Sequence, residues 1–137
     1  MTVLIVEESL LIGGRIRNLL LETGNASNIY QTVEHTEAVT LFEEVKPNVV
    51  LLDMCTPGAT SIDLLQDIKK AATETAIVVL VNCDDYQKQL KCNSIGVDFI
   101  LDKYHEFERL PEIMDIIVRK GNFKPGNEKP KHYSKFA

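Results

Sequence analysis

No apolar stretch in this 137-residue chain approaches the ~20 residues that a helix needs to cross a bilayer. The N-terminus lacks the basic start and long apolar core of a signal peptide. Instead Val3-Leu4-Ile5-Val6 runs straight into Glu7-Glu8, the mark of a short buried strand. Cysteine is scarce: Cys55, Cys83 and Cys92 make an odd count with no C-x-x-C pair. Without an export signal they are expected to stay reduced, which predicts a cytoplasmic protein with no membrane partner. No segment recurs at a fixed period, which argues against a repeat architecture.

What is present suffices for one domain. Hydrophobic residues make up 45% of the chain, and a chain of this length buries enough surface to fold without disulfides. Charge is uneven. Residues 119–137 hold Arg119, Lys120, Lys124, Lys129, Lys131 and Lys135 against Glu128 alone, a net of +5, while the remainder carries −10. The final segment, 121–137, is rich in Gly, Pro, Lys and Asn and has no periodicity. It reads as a disordered basic tail on a domain spanning 1–120. Its charge would suit an acidic partner or nucleic acid, but a solvated terminus is the simpler reading.

Five short apolar runs alternate with helical patterns. Val3–Val6 is the first strand. Ser9 then offers an N-cap to a helix whose stripe is Ile12, Ile16, Leu19 and Leu20, and Gly24 stops it. Residues 28–33 read as the second strand. Residues 35–45 form the second helix, with a stripe of Ala38, Leu41, Phe42 and Val45. Val49-Val50-Leu51-Leu52 is continuously apolar and ends in Asp53, as a central parallel strand buried on both faces does. Leu64, Leu65, Ile68 and Ala72 mark a third helix, and residues 77–81 a fourth strand. A fourth helix over 84–94 shows a weak stripe of Tyr86 and Leu90. Phe99-Ile100-Leu101 is the fifth strand. Leu110, Ile113, Met114, Ile117 and Val118 stripe the last helix, with Pro111 in its first turn. Such alternation predicts an α/β fold: a five-stranded parallel sheet of flavodoxin-like order 2-1-3-4-5, flanked by five helices.

Ligands of open α/β sheets bind outside the carboxyl ends of the strands. Those ends carry Glu7-Glu8, Asp53, Asn82 and Lys103. Carboxylates converging from neighbouring strands repel one another. A hard divalent cation such as Mg²⁺ would relieve the repulsion, with the Lys103 ammonium neutralising part of the rest. A carboxylate so placed is suited to act as a nucleophile in phosphoryl transfer.

These residues resemble the receiver domain of bacterial two-component response regulators, the CheY-like family, over about residues 2–120. The segments that carry the resemblance are VLIVEES, VVLLDMCTPG and GVDFILDK, in that order. The resemblance implies that Asp53 accepts a phosphoryl group from a histidine kinase or phosphotransfer protein. It implies that Glu8 ligates Mg²⁺ directly, that Glu7 acts through water, and that Asp53 and the Cys55 backbone carbonyl complete the metal ligands. Lys103 would pair with the phosphoryl oxygens. A phosphoacceptor of this kind has at most self-phosphorylation and dephosphorylation chemistry, rather than enzymatic turnover. Output would pass to a separate protein, or to a homodimer through the surface of helix 4, strand 5 and helix 5.

Several positions depart from that pattern. The acidic pair is Glu-Glu where the family commonly has Asp. Val81 replaces the switch hydroxyl, Asn82 a small residue, and Ile100 the aromatic rotor. Two readings follow: a receiver with an altered switch, or a phosphorylation-independent pseudo-receiver that serves as a docking module. Two other classes have less support. Cys55 and Cys83 follow neighbouring strands and would suit redox chemistry or a soft metal, but no His or Cys spacing accompanies them. A flavin phosphate is disfavoured because the first loop, EESLLIGG, is acidic.

Overall fold

The computed structural model describes residues 1–55, 60–71, 74–120 and 131–132. Strands and helices alternate: β1 (Thr2–Val6), α1 (Leu10–Glu22), β2 (Asn28–Thr32), α2 (His35–Val45), β3 (Val49–Asp53), α3 (Thr60–Ala71), β4 (Ala76–Val81), α4 (Tyr86–Ile95), β5 (Phe99–Asp102) and α5 (Leu110–Arg119). The five strands are parallel in the order 2-1-3-4-5, as expected. A two-residue strand, β6 (Lys131–His132), pairs in parallel with the outer edge of β5. The rest of segment 121–137, read from sequence as a disordered tail, lies outside the described residues, as does Ala72.

The sheet separates two apolar layers because successive strand residues face opposite sides. Val3, Ile5, Val49, Leu51, Val78, Leu80, Phe99 and Leu101 pack with Ile16 and Leu20 of α1 and Leu110, Ile113, Met114 and Ile117 of α5. Leu4, Val50, Leu52, Ile77, Val79, Val81 and Ile100 pack with Ala38 and Phe42 of α2, Leu65 and Ile68 of α3, and Cys92 of α4. Every residue of β3 and β4 is buried, which is why these strands read as unbroken apolar runs.

Local signals set the element boundaries. Ser9 Oγ accepts the Ile12 N–H at 3.2 Å and caps α1. Gly24, at φ +71°, follows the end of that helix in the left-handed region. Gly96, at φ 102°, caps α4, its N–H bonded to Cys92 O. Gly13 is buried, and a Cβ there would run into the Gln31 side chain on β2. Gly14, one residue on, faces open space.

Two stripes differ from expectation. Tyr86 and Leu90 of α4 are exposed, and the helix instead buries Gln89 and Cys92. Val118 of α5 is also exposed. In α4 the inward turn carries a polar and a small residue, so the apolar pattern pointed to the wrong face.

Candidate functional site

Parallel pairing brings the ends of β1, β3 and β5 to one rim. Glu7 follows β1, Asp53 closes β3, and Lys103 follows β5, its N–H bonded to Val81 O at 2.9 Å. All three side chains are buried. The Lys103 ammonium lies 2.7 Å from Glu7 Oε1 and 3.2 Å from Asp53 Oδ2. The other Asp53 oxygen, Oδ1, accepts the Cys55 N–H at 2.9 Å. The nucleophile candidate is thus held from both sides.

The electrostatics follow from this packing. Burial pushes the Glu7 carboxyl above its ordinary range, and the nearby Asp53 charge adds to the effect. The Lys103 hydrogen bond opposes both but does not cancel them. For Lys103, burial alone would favour the neutral amine. The Glu7 hydrogen bond and the charges of Asp53 and Glu7 outweigh that, and its pKa rises. The lysine is therefore a fixed cation.

A cleft of about 310 Å³ opens beside this cluster, and Glu8, Glu34, His35 and Asp53 are among its lining. Glu8 is exposed while Glu7 is buried. The two neighbouring acids thus face different surroundings, as residues leaving a strand do. Glu7 Oε2 is buried without a hydrogen-bond partner among the described residues. The unpartnered Glu7 oxygen, the Asp53 carboxylate on the same ammonium and Glu8 lining the adjoining cleft make a donor set that fits a hard divalent cation.

The remaining predicted positions are placed as follows. Val81 and Ile100 are buried in the apolar layer beneath the rim. Asn82 is exposed, and its Oδ1 accepts the Asp84 N–H at 3.1 Å. Cys55 and Cys83 have different neighbours. The Cys55 thiol lies 4.0 Å from Leu80 O. Burial and then the Asp53 charge push its pKa up to about 12, so it stays a thiol at neutral pH and is a poor redox nucleophile. Cys83 lies instead beside Asp102 and His105.

Two features escaped the one-dimensional reading. Lys88 of α4 donates from Nζ to Met54 O at 2.6 Å, tying that helix to the residue after Asp53. Its only signal was a lysine in a helix with a weak apolar stripe. His105 lies within reach of Cys83 and Asp102, although no motif spacing links them.

A domain with this strand order is of the flavodoxin-like α/β class, here with an acidic rim around a lysine-paired aspartate. Residues 3–115 match the family model described as the response regulator receiver domain. The chain belongs to that family. It is 27% identical over 118 residues to the transcriptional regulatory protein YdfI of Bacillus subtilis, covering 85% of this chain and 54% of the relative. It is 22% identical to the two-component response regulator PhoP of Pseudomonas aeruginosa, covering 89% of this chain and 53% of PhoP. The chain thus spans about half the length of these curated relatives. Among solved structures it resembles a LuxR-family DNA-binding response regulator from Staphylococcus aureus, with a TM-score of 0.73 at 25% identity, covering 89% of this chain and 98% of that one. It also resembles a response regulator receiver domain protein from Clostridium thermocellum, with a TM-score of 0.76 at 22% identity, covering 87% and 94%. Among the described residues no helix is long and apolar enough to cross a membrane.

Proposed function

We propose that this chain accepts a phosphoryl group on Asp53 from a histidine kinase or phosphotransfer protein in the cytoplasm, and signals through an altered switch. One observation carries the reading: Asp53 sits at the margin of an open cleft with the Lys103 ammonium 3.2 Å from one oxygen and the Cys55 N–H on the other. In the transfer, an Asp53 oxygen attacks the phosphorus of a phosphohistidine. The P–N bond breaks, and the leaving imidazole nitrogen takes the electron pair. Lys103 stabilises the negative charge on the phosphoryl oxygens. Glu8, Glu7 and Asp53, with the Cys55 carbonyl, would hold Mg²⁺. That ion supplies charge neutralisation for the entering phosphoryl group.

The altered switch rests on what lies beneath the rim. Val81 offers methyl groups in place of a hydroxyl, and Ile100 is packed into the apolar layer with no polar tip to swing. At Asn82, the NH₂ half of the amide is the donor that would meet a phosphoryl oxygen. Output would run to a separate protein or a second copy through α4, β5 and α5, where Tyr86 and Leu90 stand exposed four residues apart on α4.

The test is incubation of the purified chain with a small acyl phosphate and Mg²⁺, read by intact mass. A phosphoryl adduct that Asp53→Asn abolishes is expected. No adduct, or one that survives Asp53→Asn, would overturn the reading and leave a docking module.

A further inference from the structure

We propose that Cys83, Asp102 and His105 form a second metal site, separate from the Asp53 cleft, for a borderline transition ion of the Zn²⁺ type. Three different elements of chemistry meet here: a thiol on the loop after β4, a carboxylate at the last residue of β5, and an imidazole three residues further on. Their ligand atoms all lie within 4.8 Å of one another. Bond lengths of about 2.0–2.3 Å in a tetrahedral zinc site imply ligand separations of roughly 3.3–3.8 Å. Closing the difference takes about an ångström of side-chain rotation. His105 is free to supply it, its side chain being 73% exposed.

Asp102 is the fixed point. Its side chain is 2% exposed. Oδ1 accepts the backbone N–H groups of Tyr104 at 2.8 Å and His105 at 3.1 Å, and lies 3.1 Å from His105 Nδ1. Oδ2 is buried with no hydrogen-bond partner among the described residues. A carboxylate locked by one oxygen and unpartnered at the other has a coordination position to offer. The backbone beneath is rigid, because Val81 pairs with Asp102 in the β4–β5 register.

The donor set selects the ion. Thiolate, imidazole and carboxylate together suit Zn²⁺ or Co²⁺, whereas Mg²⁺ prefers oxygen alone. Three protein ligands leave a fourth position for water. On binding, the Cys83 S–H proton passes to solvent and the sulfur pair goes to the metal. The dication then balances one thiolate and one carboxylate. The bound ion would clip the β4–α4 loop to the segment after β5, on either side of Lys103. None of this depends on phosphorylation of Asp53.

The full chain is titrated with Co²⁺, whose thiolate charge-transfer absorption reports a Co–S bond. The band is expected to appear, to be displaced by Zn²⁺, and to persist in excess Mg²⁺. Cys83→Ser and His105→Ala should each remove the band and weaken Zn²⁺ binding by more than about tenfold. Asp53→Asn and Cys55→Ser should leave both unchanged, which separates this site from the phosphoryl cleft. In the unsubstituted chain, Zn²⁺ should slow alkylation of Cys83 while Cys55 reacts as before, read by peptide mass. Absence of the band, its survival in Cys83→Ser, or its loss in Cys55→Ser would overturn the proposal. Because Cys83 and His105 are not buried, both variants are expected to melt like the parent.

Discussion

At the scale of single residues, the site is governed by one ammonium shared between two buried carboxylates. Removing one partner of a buried ion cluster leaves charge uncompensated. Lys103→Met is therefore expected to cost about 3 kcal/mol at neutral pH and to abolish the phosphoryl adduct. Urea unfolding and intact mass check the two effects, and a variant as stable as the parent would contradict the first. Glu7 gives the pH dependence. Its carboxyl titrates near 4.5 when unfolded and higher when folded. Between those values the folded state holds a proton that the unfolded state has lost. The stability that Glu7 contributes is thus full below pH 4.5 and is lost as pH rises through the folded value. With chelator present, the difference in urea midpoint between the parent and Glu7→Gln should fall as pH rises from 4.5 toward neutrality. A difference that grows over that window would contradict the sign.

Elements show how neighbouring positions acquire different tolerances. Gly13 and Gly14 sit side by side in α1, but only Gly13 meets a side chain, that of Gln31. Gly14→Ala should stabilise the fold by about 0.5–1 kcal/mol through helix propensity. Gly13→Ala gains the same propensity but must push Gln31 aside, so its melting temperature should fall below that of Gly14→Ala. The α4 helix divides in the same way. Leu90→Ala on the exposed face should change stability by no more than about 0.5 kcal/mol. Cys92→Ser puts a hydroxyl into the apolar layer of α2, α3 and α4 and should cost about 1–3 kcal/mol. Equal melting temperatures for these two α4 variants would show the helix faces to be misassigned.

For the whole molecule, the proposed phosphate-driven switch would require an equilibrium between two packings. Moving a population from 1:99 to 99:1 takes about 5.5 kcal/mol of differential binding. A hydrogen bond to a charged group supplies about 1.5–3 kcal/mol of that. Val81 donates none, and Ile100 is held in a packed layer. A phosphoryl mimic is therefore expected to move amide signals of α4 and β5 only weakly, and Val81→Thr to enlarge the shifts. Large shifts in the unsubstituted chain, unchanged by Val81→Thr, would show that another contact carries the switch.

The sequence by itself determined the layered α/β architecture, because strand and helix periods are local. Val49–Asp53 and Ala76–Val81 are buried on both faces, and such strands announce themselves as unbroken apolar runs. It also brought Glu7, Asp53 and Lys103 under suspicion, since residues at the carboxyl ends of parallel strands share one rim. It misjudged α4, where burial of Gln89 and Cys92 rather than Tyr86 and Leu90 reflects what packs against the helix, not its own pattern. Only the tertiary structure decided that Glu7 is buried while Glu8 faces the cleft, that Lys88 reaches Met54 O, and that Cys83 meets His105. Those pairings join residues from different crossovers, and local periodicity carries no information about distances between segments that only the folded sheet brings together.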